Sequence, residues 1–514
     1  MVVGKLILGG LGLGTAAGYA KLVHVQSLLP KTSLAINTNS SKKGNKDKKI
    51  IVVGGGCLGV STAYKLAKKG YSVSVIESRS AAADECSSCA AGGMQRSNPM
   101  VSREKWVSVI KCMFPRLSSI VLGGEPEKFN FFQISFLKTV TDPHFLRWIS
   151  AFSYGSLFPN EDLKKKQGEM LKFTDFAIDE IKNTLESDYG VMGKKSGYSQ
   201  RGAMALVFSD PSQVKPSAKN SHEPQKIITG DDIFKQEPSI KEMTHKPTAV
   251  RFDYKALAAD SERFTKALAE KCVTDPTLDV TFVYDTKVQG IDVNSGHDGL
   301  PSISALNTNR GVIKVDSDTQ VVAAAGSWTP QLLALCGLYA PVYPLKGYCI
   351  PMQVPKNVPE EKLPSRIVSD EVVYTSRLGD QIRVTSIGEF SGWNTKPDVN
   401  VDKRFREAAL ERMPQLTEQI QSHPTRCGLR PYVSDGIVLL GRVELFSNLL
   451  VNCGPGSNGW KICEGAGEVI ARLVANEDID KPLGFESEYL SPKGRVVSAP
   501  IFSKICLSRW QIDM

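Results

Sequence analysis

Residues 49–77 constrain the fold of this chain more than any other stretch. Ile50, Ile51, Val52 and Val53 form a continuous β-branched run. Such a run suits a strand buried on both faces of a parallel sheet. Gly54-Gly55-Gly56-Cys57-Leu58-Gly59 follows with the spacing G-x-G-x-x-G. Residues 60–69 then predict a helix with Ala63, Leu66 and Ala67 on its inner face, ended by Gly70. Residues 71–76 predict a second strand, and Glu77 closes it.

Each part has a physical reason. Gly54 permits the tight turn from strand to helix, and Leu58 lies in that turn. Gly56 removes a side chain so that backbone can approach a pyrophosphate, and Gly59 lets helix and strand pack closely. The helix N-terminus presents free N–H groups and a positive dipole end to the anion. Glu77 stands where a carboxylate accepts hydrogen bonds from ribose hydroxyls and disfavours a ribose phosphate. Arg79 lies two residues on. A dinucleotide-binding, Rossmann-like βαβ unit accounts for the whole order. Taken alone it does not separate NAD from FAD.

Three later segments favour a bound flavin. Residues 279–284 are strand-like and lead to Val288 and Ile291, an edge strand beside the adenine end. Residues 319–328 read as a buried strand running into a small-residue turn at Gly326. Ordinary small-residue packing would give the same pattern. Residues 448–453 form a third strand, followed by a second glycine loop, Gly454-Pro455-Gly456-Ser457-Asn458-Gly459-Trp460. A helix over 461–474 follows, with Ala466, Val469, Ile470 and Leu473 at helical spacing. Aimed at the pyrimidine ring, its dipole would stabilise negative charge on a reduced flavin. A plain cluster of turn glycines is the bland alternative.

The bulk numbers exclude several other classes. A chain of 514 residues with 41% hydrophobic content can bury two or more cores. The formal charge is +9, but residues 1–49 hold eight lysines against one acid, Asp47, so +7 of it sits there. No basic, aromatic-interleaved face speaks for nucleic acid. The apolar stretch 6–20 is short for a membrane span. It reads as a mitochondrial import segment, as an endomembrane (secretory-route) anchor, or as a loosely membrane-associated helix. Residues 32–49 are polar linker, so 1–48 are leader and linker. The 11 cysteines are scattered and odd in number, which points to reduced thiols. Cys86 and Cys89 make one C-x-x-C; small residues in a tight loop outweigh a redox pair or zinc there. No metal site is expected.

With these residues in view, the chain resembles the D-amino-acid oxidase superfamily of flavoproteins, most closely the bacterial-type D-amino-acid dehydrogenase branch. The likeness runs from about residue 49 to 478. Glu85-Cys86-Ser87-Ser88-Cys89-Ala90-Ala91-Gly92 looks like the family's E-T-S-x-x-N-A-G loop against the isoalloxazine, with Cys86 and Ala90 departing from it. Val342-Tyr343-Pro344-Leu345-Lys346-Gly347-Tyr348 matches V-Y-P-L-K-G-Y. Gly428-Leu429-Arg430-Pro431, with Asp435-Gly436, matches G-L-R-P…D-G. Residues 454–460 look like G-H-G-x-x-G-W with Pro455 for His.

The resemblance implies FAD held by Gly54, Gly56, Leu58, Gly59, Glu77, Ser87, Ser88, Ala91, Gly92, Val288, Gly326, Gly454, Gly456, Gly459 and Trp460. It implies that Arg430 pairs bidentately with a substrate carboxylate, and that Tyr348 lies near substrate and flavin. The fold expectation is α/β. A discontinuous Rossmann-like FAD domain takes 49–130, 250–340 and 425–480. An α+β substrate domain with an antiparallel sheet takes 131–249 and 341–424, including a helix near 161–185; 481–514 form a tail without a legible motif. The expected reaction is oxidative deamination of D-amino acids, with electrons passing to a quinone, a carrier flavoprotein or oxygen. The alternatives are a glycine-, sarcosine- or dimethylglycine-type amine oxidase or dehydrogenase, and a mitochondrial flavoprotein with an assembly role. Membrane association would come through the leader.

Overall fold

The computed structural model describes residues 48–95, 101–113, 132–134, 139, 141–210, 226–296 and 298–512. The apolar leader therefore lies outside the described residues. Among the described residues no helix is long and apolar enough to cross a membrane.

Along the chain, β1 (Lys49–Val53) turns through the first glycines into α1 (Cys57–Lys68) and β2 (Ser72–Ile76). The long helix α2 (Glu161–Ser196), then α3 (Ser261–Thr274), β3 (Asp279–Val283) and β4 (Gln320–Ala323) follow. Next come β5 (Val342–Gln353), β6 (Val373–Leu378), β7 (Gln381–Phe390) and β8 (Arg426–Val433). The last part brings β9 (Leu439–Arg442), β10 (Leu449–Cys453) and α4 (Gly459–Ala475).

Two large sheets result. The first has the order β9-β10-β4-β1-β2-β3 and is parallel except at β9. Its central strand β1 sends Ile50 and Val52 into one apolar cluster and Ile51 and Val53 into another. Burial on both faces is what the unbroken β-branched run required, at roughly 1.5–3 kcal/mol per side chain. The second sheet has nine strands. Its path runs β8-β5-β7-β6, then Ile367–Ser369, Ala203–Val207, Ala249–Asp253 and Lys226–Thr229, with Phe132–Ile134 beside β7.

Four segments are grouped differently from the sequence expectation. Helix α2 does not join the antiparallel sheet. Met170, Phe173, Ala177, Ile181 and Leu185 bury in the cluster that holds α1, α3 and α4. Gly465 of α4 allows the contact, because a Cβ there would stand 2.7 Å from Ala177 Cα. Strand β8 and the strand Ala249–Asp253, assigned by sequence to the nucleotide unit, pair within the antiparallel sheet. The tail is not an appendage. Val497–Ser498 pairs with Leu338–Tyr339, and Arg495 donates to the Ile437 and Val438 carbonyls and to Asp435. A helix over Pro500–Ile512 carries Leu507 to the wall of the central cleft.

Candidate active site

A single cleft of about 1390 Å³ runs between the two sheets. That exceeds the ~300–1,000 Å³ of a usual small-molecule pocket and leaves room for a dinucleotide together with a substrate. Its walls carry Glu77 and Val288, the turn Gly54–Leu58 and Gly326 from the nucleotide unit. They also carry Ser87, Ala91 and Gly92, Gly347 and Arg430, and the loop from Pro455 to Lys461. The two glycine turns, some four hundred residues apart in sequence, thus face one cavity.

The cradle fits an extended dinucleotide. Gly54 has φ +118°, and a Cβ there would stand 2.7 Å from the Ala324 carbonyl carbon. Neither α1 nor α4 has an acid in its first turn, so both positive helix ends face the cleft without a competing carboxylate. Glu77 does more than await a ribose. Its Oε2 accepts from Gly55 N at 2.6 Å and its Oε1 from Arg79 N at 2.8 Å, which holds the first turn against β2. Oε1 also accepts from Ser78 Oγ at 3.1 Å, so the further acceptor site lies on Oε2. Ser87 Oγ accepts from Cys57 N, the first amide of α1, at 3.0 Å. The Trp460 indole donates to Gly92 O at 3.0 Å, tying the second glycine loop to the 85–92 loop. These residues fit FAD: Glu77 and Val288 would take its adenosine end, the first turn its diphosphate, and Gly92 with 456–460 its ring system.

Some expected contact residues stand behind the wall. Gly59 does not line the cleft; a Cβ there would press to 3.0 Å from Gly54 C, so it serves helix–strand packing. Gly454 likewise packs, with φ +82° and its face against the Val433 side chain. Ser88 is buried, and its Oγ donates to Glu85 O at 2.7 Å. These three shape the site without lining it.

Tyr348 is the main correction. It is fully buried and absent from the cleft wall. The β5–β7 ladder shifts register between Gly347 and Tyr348, and the two residues face opposite ways. Gly347 looks into the cleft; the Tyr348 ring packs against Phe405. Its hydroxyl donates to Glu389 Oε2 at 2.6 Å and accepts from Asp398 N at 2.9 Å. Burial, then this bond to Glu389, push its pKa up, so it stays a phenol. Lys346, also fully buried, pairs with Glu389 at 2.8 Å and donates to Lys396 O at 2.9 Å. This group pins the loop 391–398, part of which lines the cleft.

Sequence reading missed three cleft residues. Tyr374 lines the cleft opposite Gly93, where a Cβ would stand 3.2 Å from Tyr374 Cζ. Lys461 follows the second glycine loop directly. It is buried at the cleft wall, donates to Gln95 O, and burial lowers its pKa to about 8. A lysine among Trp460, Ile462 and Cys463 was the available signal. Trp393 had none; it reaches the wall because its indole donates to Ser327 O at 2.7 Å.

Comparison with known proteins agrees with this geometry. The profile of the FAD-dependent oxidoreductase family DAO matches residues 49–473. A D-amino acid dehydrogenase of Rhizobium rhizogenes is 27% identical over 441 residues, covering 83% of this chain and 96% of that protein. The crystal structure of a glycine oxidase from Bacillus cereus superposes with TM-score 0.55 at 18% identity, covering 85% of this chain and 97% of that one. An iminodiacetate oxidase from Chelativorans gives TM-score 0.54 at 20% identity, covering 86% and 98%. These two structures share the fold.

Proposed function

Because the chain belongs to the DAO family of FAD-dependent oxidoreductases, we propose that it oxidises the C–N bond of D-amino acids, releasing oxo acids and ammonia. The coarser statement, an FAD-dependent amino-acid or amine oxidoreductase, follows from the family and its relatives. The finer reading is supported by the likeness to D-amino acid dehydrogenases over most of the chain. The observation that carries a substrate with a carboxylate is Arg430. It projects from β8 into the cleft beside Gly347, on a wall shared with both glycine loops.

The FAD supplies the hydride acceptor. Everything else asked of the protein is placement. The Arg430 fork holds the substrate carboxylate through two parallel hydrogen bonds, which fixes the direction of the α-C–H. Gly347 leaves the space in which the guanidinium lies. Tyr374 and Trp393 form part of the walls. With its amine neutral, the substrate would lose the α-hydrogen with its electron pair to the flavin and leave as the iminium form of the imino acid, keeping both N–H protons. Water then hydrolyses it. No protein base is required, in keeping with a cleft wall that carries no histidine among the described residues.

The electron acceptor proposed is a quinone or carrier flavoprotein, in line with the dehydrogenase relatives. The experiment is anaerobic mixing of the yellow protein with D-alanine, other D-amino acids, L-alanine and sarcosine. Bleaching by D-amino acids alone is expected. Bleaching by sarcosine alone, or by no amine, would remove the proposal. Peroxide yield measured against quinone reduction then assigns the acceptor.

A further inference from the structure

We propose that Cys89 and Cys349 form a dithiol that reduces a hydroperoxide and closes to a disulfide, stapling the turn Cys86–Cys89 to β5. The C-x-x-C spacing points to Cys86 with Cys89, but the fold pairs Cys89 differently. Cys89 packs on the bare face of Gly428, where a Cβ would stand 2.9 Å from Cys89 Cβ. Gly428 faces Gly347 across the β5–β8 ladder, and Cys349 lies two residues on, opposite Arg426 and on the same face. The Cys89 and Cys349 thiols lie close enough for each to shift the other's titration. Cys89 also reaches the cleft wall, so a small oxidant meets it first.

A buried cation stands beside this pair. Arg383 is 1% exposed; its Nη1 donates to Ala90 O at 2.8 Å and its Nη2 to Asp260 Oδ2 at 2.9 Å. Its Nε, also buried, meets no acceptor among the described residues. The Arg383 charge acts on both thiols. The neighbouring Cys349 and the nearby cations hold Cys89 low, while the neighbouring Cys89 and burial hold Cys349 high. Cys89 is the nucleophile of the pair and Cys349 the resolving thiol. Cys86 is pushed up to about 12 by burial and takes no part.

The chemistry balances with a hydroperoxide as the named oxidant. The Cys89 thiolate attacks one peroxide oxygen; an S–O bond forms and the O–O bond breaks. The departing oxygen takes a proton and leaves as water from hydrogen peroxide, or as the alcohol from an organic hydroperoxide. The Cys349 sulfur then displaces the hydroxyl from Cys89; the S–S bond forms, the S–O bond breaks, and the Cys349 proton leaves in water. Two thiols lose two electrons and the peroxide gains them.

The molecule contains its own comparator. Cys57 and Cys463 also lie close enough to shift each other's titration, but the charged side chain acting on Cys463 is Glu464, not an arginine. The test treats full-length, FAD-loaded protein with one equivalent of hydrogen peroxide and maps its peptides without reduction. The expected product is a Cys89–Cys349 linked peptide, with two thiols lost per peroxide consumed. Cys349→Ser should instead accumulate sulfenic acid on Cys89, trapped by dimedone, while Cys89→Ser leaves Cys349 reduced. Thiols that all stay reduced, or a first disulfide at Cys57–Cys463 or Cys86–Cys89, would overturn the assignment. The wild-type map alone decides should either variant fail to fold.

Discussion

The Arg430 guanidinium lies against the Cα of Gly347. A methyl group at 347 would stand 2.5 Å from Arg430 Cζ and 2.9 Å from Nε. Cross-strand register sets this relation: Leu345 pairs with Arg430 and Gly347 with Gly428, so Arg430 reaches diagonally over the glycine. Gly347→Ala should therefore displace the fork while leaving the FAD turns alone. The expected result is a KM for carboxylate substrates raised about tenfold or more, a loss of ~1.5–3 kcal/mol in a charge-assisted contact, with full flavin content. Steady-state kinetics beside the flavin absorbance checks it; an unchanged KM would detach Arg430 from the substrate.

Gly54→Ala places a Cβ against the Ala324 backbone at a positive φ. Neither neighbour is a flexible side chain, so the turn must shift. We expect a folded protein that is purified colourless and regains little absorbance when FAD is added, read by circular dichroism and flavin titration.

The buried Lys346–Glu389 pair should show strong asymmetry between single and double changes. Lys346→Met removes the cation that pairs with the buried Glu389 carboxylate, and should cost about 3–5 kcal/mol. Lys346→Met with Glu389→Leu should recover most of that loss. Urea midpoints of the three proteins measure the coupling; equal losses in single and double variants would contradict it.

His144 supplies a pH dependence of stability. It is buried, its Nε2–H donates to Val342 O at 2.7 Å, and burial lowers its pKa to about 4 from an ordinary 6.5. Below 6.5 the unfolded chain takes up a proton that the native state refuses, so protons favour unfolding. This contribution is fully present above about pH 6.5 and is lost as pH falls towards 4, by roughly 3 kcal/mol in all. His144→Gln should flatten urea midpoints measured across that window.

Lys461 should tune anion binding on the alkaline side. Its charge is lost as pH rises through about 8, because burial favours the neutral amine. Benzoate, which does not titrate there, should bind more weakly from pH 7 to 9 by flavin difference spectra. Lys461→Met should bind weakly at both ends of that range and show no step.

The sequence by itself determined the nucleotide unit, because its signals are local. A β-branched run, glycines at fixed spacing and a carboxylate after the second strand each act within a few residues, and β1, α1, β2 and Glu77 stand where those signals put them. The second glycine loop was legible for the same reason. Only the tertiary structure decided which side chains share the cleft. Strand alternation along β5 turns Tyr348 into the core while Gly347 faces the wall that carries Arg430. Ladder pairing brings Cys349 to Cys89, and the bare surface of Gly465 draws α2 onto the nucleotide unit. Those relations join residues tens to hundreds of positions apart. They depend on strand facing and on the absence of a side chain opposite, and neither is written in the residues nearby.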